Sequence, residues 1–318
     1  MVDLEFEKSL PSKIKETYRR QGYRFLGRNQ HSATKICRWT KASLRTNRVC
    51  YKELWYPPVE SHRCMQMTPT LSCNYHCLYC WRLHSGDRLN LKWKEFPLDV
   101  ELDEPKEIIN DAVEKRRSLL IGFKGNSKVD AKRVEEALKP TMMTMSLTGE
   151  PTLYPRISEL VEEAEKMGII TFLVTNGTLP NVLETMDKLP FQLYVSVSAP
   201  DKSMYNKLTR PQIKNGWEHL NRTLELLPSL QTRKVIRFTV IKGWNTTNIR
   251  GYADLIEKAL PSFIEVKAYE WVGASQKRLQ KEVMPFMKDV RLFAKRISEL
   301  TGYQIKEEYE PSGAILLV

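Results

Sequence analysis

The chain has 318 residues, 42% hydrophobic and 28% charged, enough for a sizeable buried core and unlike a disordered composition. No apolar run approaches the roughly 18 residues that span a bilayer, and the polar N-terminus MVDLEFEKSLPSKIKE lacks the apolar stretch of a secretory signal, so a cytoplasmic protein is expected. Most of the +12 net charge lies in residues 8–63, where fourteen Lys/Arg stand against three Asp/Glu, a net of +11; such a stretch either attracts polyanions, nucleic acid first among them, or is a solvated basic face.

In chain order, a short basic helix is expected over 12–21, with Ile14 and Tyr18 four residues apart and Gly22 as its stop. The rest of the first hundred residues reads as irregular, with aromatics such as Tyr23, Phe25 and Trp39 among basic residues, and Pro57-Pro58 breaking the run. From about residue 64 strands and helices alternate. Strands are expected at 65–70, 142–147, 171–175, 193–198, 235–241 and 263–269. A helix around Ile108, Ile109, Ala112, Val113 and Arg116 lies in a longer insertion between the first two strands. Later apolar stripes run through Ile157, Leu160, Val161 and Ala164, ended by Gly168, and through Trp217, Leu220, Leu224 and Leu227. A third, Ile249, Tyr252, Ala253 and Ile256, follows Asn245-Thr246-Thr247, which can cap it. A tail helix through Val290, Phe293 and Ile297 and a hairpin over 303–308 and 314–318 close the chain. No internal repeat is present.

This alternation predicts an α/β fold, a parallel sheet with helices outside. Six units are too few for an eight-fold barrel, so a partial (β/α)6 TIM-like barrel is expected over 64–280. A basic extension, 1–63, precedes it and a helix with a hairpin, 281–318, follows. Functional residues belong on loops after the strands' C-terminal ends, where Cys73, Gly149, Glu150 and Asn176 all fall.

All six cysteines lie between Cys37 and Cys80, which in a reducing compartment favours metal over disulfides. Cys73, Cys77 and Cys80 form a C-x3-C-x2-C motif. Three thiolates on a compact loop can hold three irons of a 4Fe–4S cubane and leave the fourth open. The amino and carboxylate groups of S-adenosylmethionine (SAM) can chelate that iron, so the motif points to radical SAM chemistry. A zinc site is the competing reading, but zinc is usually held by paired C-x2-C knuckles. Thr148-Gly149-Glu150-Pro151 resembles the GGE motif of radical SAM enzymes, with Thr148 in place of the first glycine. Thr175 and Asn176 stand where that family makes polar contacts to SAM, although Asn176-Gly177 also reads as an ordinary turn. Ser196 resembles a ribose-contacting serine or is an inward-facing strand residue, and Tyr79 stands where the superfamily packs a side chain over adenine.

Cys37, Cys50 and Cys64 are spaced as no zinc finger is and suggest a second cubane, against the alternative of buried free thiols. Here the chain resembles the radical SAM tRNA-wybutosine synthases, or 4-demethylwyosine synthases, in their archaeal-type single-domain form. The segments that carry the resemblance are Lys35-Ile-Cys37, Val49-Cys50-Tyr51-Lys52, Ser61-His62-Arg63-Cys64, the triplet with Trp81-Arg82, Ser146 to Pro155, and Lys267-Ala-Tyr through Gly273 to Leu279.

The resemblance implies an enzyme that converts N1-methylguanosine, next to the anticodon of tRNA(Phe), into 4-demethylwyosine with two carbons from pyruvate. It implies that Cys73, Cys77 and Cys80 hold the SAM cluster, that Cys37, Cys50 and Cys64 hold the second, and that Lys52 binds pyruvate covalently. It gives the basic segment an RNA partner; Arg38, Lys41 and Arg45 are candidate contacts by local charge density. A flavodoxin or ferredoxin as electron donor and a monomeric chain are expected with it. The alternatives are a radical SAM enzyme with an auxiliary cluster acting on another substrate, and a non-enzymatic iron–sulfur RNA-binding protein.

Overall fold

The structure, a computed structural model, describes residues 10–46, 48–84, 87 and 101–318; the start of the N-terminus read above as free of a signal lies outside them. Among the described residues no helix is long and apolar enough to cross a membrane.

Contacts within the chain divide it into two compact units. The first comprises residues 1–53, 58–74 and 84–171, the second residues 54–57, 75–83 and 172–318. In the first, α1 (Ser12–Arg20) buries Ile14 and Tyr18 as its spacing requires. The stretch after it is more regular than expected: β1 (Arg24–Leu26) and β2 (Ser32–Thr34) pair antiparallel, and α2 (Arg38–Arg45) and α3 (Tyr51–Trp55) follow, the last two residues of α3 belonging to the second unit. Three-residue strands carry too little alternation to register as a period-2 pattern. β2 pairs antiparallel with β3 (Cys64–Thr68). After α4 (Pro105–Ile121) and α5 (Ala131–Ala137), β4 (Met142–Met145) lies parallel to β3. α6 (Ile157–Lys166) buries the expected stripe and gives way to Gly168 at φ +69°. Ile36 and Leu44, around and on α2, share a core with Leu120, Val134 and Ala137 of α4 and α5.

His31 pins the hairpin to the segment ahead of the first cysteine loop. Its Nε2 accepts the Asp103 amide at 2.9 Å, so its Nδ1 carries the proton and donates to the Pro69 carbonyl at 2.8 Å. The Asp103 carboxylate takes the Arg28 and Asn29 amides at 3.0 Å, and the His31 carbonyl accepts from Leu71 at 2.9 Å. Burial lowers the His31 pKa and favours this neutral ring.

In the second unit, β5 (Ile170–Thr175, from Phe172 on), β6 (Gln192–Ser196), β7 (Arg233–Val240) and β8 (Phe263–Ala268) run parallel. With β3 and β4 they are the six parallel strands the sequence predicts, each within a few residues of its expected bounds. α7 (Pro180–Glu184), α8 (Lys202–Thr209), α9 (Gly216–Leu226) and α10 (Ile249–Ala259) lie between them in sequence. α11 (Met287–Thr301) follows, then β9 (Ile305–Tyr309) and β10 (Ala314–Leu317), with β10 antiparallel to both β8 and β9. Phe238 of β7 meets Tyr252 of α10 at 4.9 Å and Phe293 of α11 at 5.9 Å between ring centroids, the edge-on contact aromatic cores favour.

One expected cap is displaced. Asn248, not the 245–247 stretch, caps α10, its side chain accepting the Gly251 amide at 3.1 Å. Asn245 is buried instead and ties the end of β7, accepting from the Ile241 amide and donating to the Ser198 and Thr239 carbonyls, each at 2.8 Å.

Candidate active site

The loop after β3 carries Cys73, Cys77 and Cys80. Cys73 is half-buried in the first unit, where the Thr148-Gly149-Glu150 turn closes against the same loop. The Glu150 amide donates to the Ser72 carbonyl at 2.8 Å, and the Thr68 hydroxyl lies 2.6 Å from both the Thr70 and Thr148 carbonyls. Gly149 sits at φ +71°, and a Cβ there would collide with the Thr70 and Ser72 carbonyls. Glycine is therefore required on both counts. Glu150 is 2% exposed, and its carboxylate accepts from the Thr152 amide and hydroxyl.

Gly149→Ala is expected to destabilise the chain by about 1–3 kcal/mol from strain alone, read as a lowered Tm. Gly122, with helical φ and nothing within 4 Å of a built Cβ, supplies the control: Gly122→Ala leaves Tm unchanged or slightly raised. Equal effects at the two sites would refute the account of Gly149.

Cys77 is buried and Cys80 half-buried in the second unit, on a stretch seated by its backbone. The His76 and Leu78 amides donate to the Thr209 and Leu208 carbonyls at 3.0 and 2.9 Å. Arg278 donates to the Cys77 carbonyl at 2.5 Å and the Arg82 carbonyl at 2.6 Å, and the Ala274 amide donates to the Trp81 carbonyl at 2.8 Å. A Cβ on Gly273 would strike that same Trp81 carbonyl. The Gly273–Leu279 stretch thus acts as a clamp on the cysteine loop, a role sequence reasoning did not assign to Arg278.

The Tyr79 hydroxyl lies 2.6 Å from Ser198 Oγ. Ser196, half-buried, ends β6. Thr175 Oγ1 accepts the Gly177 amide at 3.0 Å, and Asn176 Oδ1 accepts the Thr178 amide at 3.0 Å, so both also serve the turn after β5.

The second triplet converges within the first unit. Cys37, Cys50, Cys64, Lys52, Ser61 and Trp39 are among the residues lining one pocket of about 260 Å³ of empty space. Cys37 is the N-cap of α2, its sulfur accepting the Trp39 amide at 3.5 Å. The Cys50 amide donates to Ser61 Oγ at 2.8 Å, and the Ser61 carbonyl accepts from Thr40 Oγ1 at 2.9 Å. Cys64 opens β3, with its sulfur 3.6 Å from Thr144 Oγ1. Lys52 is 7% exposed. Burial pushes the Cys50 thiol up to about 12, partly offset by the Lys52 backbone amide and, less, by its ammonium, and raises the Cys64 thiol too, against Thr144 and Arg116. Any metal bound here must therefore displace protons. Among the described residues no three Cys, His, Asp or Glu side chains stand close enough to close on a single ion; the thiols line the pocket rather than meet at a point.

On α2, Arg38, Lys41 and Arg45 are all exposed and share one face, while Thr40, Ser43 and Leu44 are buried on the other.

Residues 67–256, which include the cysteine loop, the Gly149 turn and strands β4 to β7, match the model of the radical SAM superfamily. The fold is that of a radical SAM enzyme, a class that uses SAM and a 4Fe–4S cluster. The donors fit that cofactor pair: three thiols lie on one short loop, and within the first unit the residues ahead of Cys73 meet a turn whose buried Thr148 hydroxyl has no hydrogen-bond partner among the described residues. Residues 258–318 match a second model, described as wyosine base formation.

A tRNA 4-demethylwyosine synthase of Pyrococcus horikoshii is 45% identical, the match covering all of this chain and 92% of that protein. The Oryza sativa synthase is 37% identical over 96% of this chain and 46% of its own length. A solved structure described as TYW1 with a lysine–pyruvate adduct bound superposes with a TM-score of 0.84 at 33% identity, covering 97% of this chain and 96% of that one. A crystal structure of archaeal TYW1 gives a TM-score of 0.78 at 31% identity, over 97% of this chain and 96% of that one. The chain belongs to the S-adenosyl-L-methionine-dependent tRNA 4-demethylwyosine synthases. It is a radical SAM enzyme of wyosine formation.

Proposed function

We propose that the chain converts N1-methylguanosine of tRNA(Phe), next to the anticodon, into 4-demethylwyosine with pyruvate as the two-carbon donor. The observation that carries this reading is the pocket in which Lys52 stands with Cys37, Cys50 and Cys64. Lys52 is a buried primary amine beside three thiols, and a primary amine can condense with the ketone of pyruvate. The lysine–pyruvate adduct described for the solved relative supports the assignment.

In this reading Cys73, Cys77 and Cys80 hold the SAM-binding cluster, and Cys37, Cys50 and Cys64 hold a second. The backbone of Thr148, Gly149 and Glu150 receives the SAM amino group, Thr175, Asn176 and Ser196 make further polar contacts, and Tyr79 packs its ring on the adenine. Held by these residues and reduced, the cofactor pair would supply the radical chemistry that removes hydrogen from the N-methyl group. An external flavodoxin or ferredoxin delivers the electron. Lys52 holds pyruvate through a Schiff base, formed with loss of water, and orients its carbonyl carbon for the new carbon–carbon bond, which forms as the bond from that carbon to the carboxyl carbon breaks and the carboxyl carbon leaves. The test is incubation of the reconstituted protein with methylated tRNA, SAM, pyruvate and reductant, followed by mass analysis of nucleosides. 5′-Deoxyadenosine without the tricyclic base would point to another substrate.

The exposed α2 face of Arg38, Lys41 and Arg45 is assigned to RNA phosphates. Cation–phosphate contacts release counterions, so log affinity for tRNA falls linearly with log salt. Reversing all three charges is expected to flatten that slope by about three contacts' worth, roughly 0.7–0.9 each. An unchanged slope in a filter-binding titration would make this face merely solvated.

A further inference from the structure

Arg116 interrupts the apolar stripe of α4 and is 1% exposed. Among the described residues all its hydrogen bonds go to backbone carbonyls. Nε donates to Cys64 at 3.2 Å, Nη2 to His62 at 2.6 Å, and Nη1 to Ala137. Among the described residues no carboxylate lies within ion-pairing distance of it. A buried guanidinium left with carbonyl dipoles alone is a costly arrangement unless a negative charge appears beside it. The residue whose carbonyl it holds, Cys64, lines the thiol pocket.

On the other side of Cys64 stands Thr144 of β4. It is buried, and its hydroxyl is 3.6 Å from the Cys64 sulfur. No other hydrogen bond competes for that hydroxyl among the described residues. One ligand is therefore held from two directions, by a buried cation on its carbonyl and a hydroxyl at its sulfur.

We propose that Arg116 is a buried counter-cation, beside Lys52, of the cluster held by Cys37, Cys50 and Cys64, and that Thr144 hydrogen bonds the Cys64 thiolate, so that the two together raise that cluster's reduction potential. The inference rests on the second-cluster reading given above. Three thiolates make an occupied pocket anionic, and a one-electron reduction adds one more negative charge. A fixed cation and a hydrogen bond to sulfur both favour the more negative form. Both are positioning residues and touch no substrate.

The test uses the full-length Cys73→Ala/Cys77→Ala/Cys80→Ala protein, reconstituted anaerobically so that only the second cluster is present, and titrated with dithionite through mediators while the EPR signal is followed. Arg116→Gln and Thr144→Val are each expected to move the midpoint to a more negative potential. Arg116→Lys and Thr144→Ser, which keep the charge and the hydroxyl, are expected to return it close to the parent. A loaded cluster with unmoved midpoints in both Arg116→Gln and Thr144→Val overturns the inference and leaves the second-cluster reading standing. If Arg116→Gln does not fold, Thr144→Val decides alone, its methyl filling the hydroxyl's space. A parent protein that takes up no iron overturns the second-cluster reading itself, and this inference with it.

Discussion

Lys52→Arg is expected to abolish formation of the tricyclic base while leaving SAM cleavage to 5′-deoxyadenosine in place. Arginine keeps the positive charge beside Cys50 and much of the side-chain volume, yet its guanidinium does not form a Schiff base with a ketone. Both clusters and tRNA binding should survive, because the three thiols of the pocket and the exposed face of α2 are untouched. Borohydride with labelled pyruvate should trap an adduct on the parent protein and none on the variant. If Lys52 were one more phosphate contact, the substitution would be nearly silent. Lys267 is the rival amine. It lies on β8, with its Nζ 3.4 Å from the Ser312 carbonyl, and an adduct mapped there would move the assignment from one lysine to the other.

Anaerobic reconstitution is expected to load about eight irons per chain, four for each cubane. Replacing Cys73, Cys77 and Cys80 with alanine should halve that number, and replacing Cys37, Cys50 and Cys64 should do the same. The second set has a further signature. The Cys50 and Cys64 thiols are raised by burial, so loading that pocket must release protons and should weaken as the medium is acidified. Stoichiometric zinc with little iron, or a full complement of iron in either triple variant, would rule out two separate cubanes.

The parallel strands and most helices were legible because their apolar spacing is uninterrupted. Ile157, Leu160, Val161 and Ala164 are all buried on α6 as the pattern requires. The β1–β2 hairpin was not, since its short strands lie among charged residues and a turn through Gly27. Asn245 misled for a different reason: its composition is that of a cap, while its location at the end of β7 gives its amide three backbone partners. At the site, the C-x3-C-x2-C motif and the Gly149 turn are local and can be read directly. The pocket is not local, because its thiols come from a helix cap, a loop and a strand start. Ser61 was legible only as part of the Ser61–Cys64 segment, and Thr144, which meets the Cys64 sulfur through tertiary packing, carries no sequence signal. Arg116 carried one, a charge on the apolar face of α4, and Arg278 could have been noticed only through the Gly273–Leu279 segment around it.

The second unit ends in an outer strand of unusual character. Among the described residues β9 pairs only with β10, and Ile305, Lys306, Glu307 and Glu308 are all exposed. An open strand edge offers a row of unpaired amides and carbonyls to any other strand, including that of an aggregating copy. Here the offer is spoiled twice. A copy laid against β9 would have to strip water from three consecutive charged side chains, and the pairing with β10 slips register between Leu316 and Leu317, so the edge is not a straight template. The apolar β10, with Ile315, Leu316 and Leu317 buried, is the strand that would otherwise be sticky, and β9 lies over its edge as a polar selvedge that stops the sheet from growing.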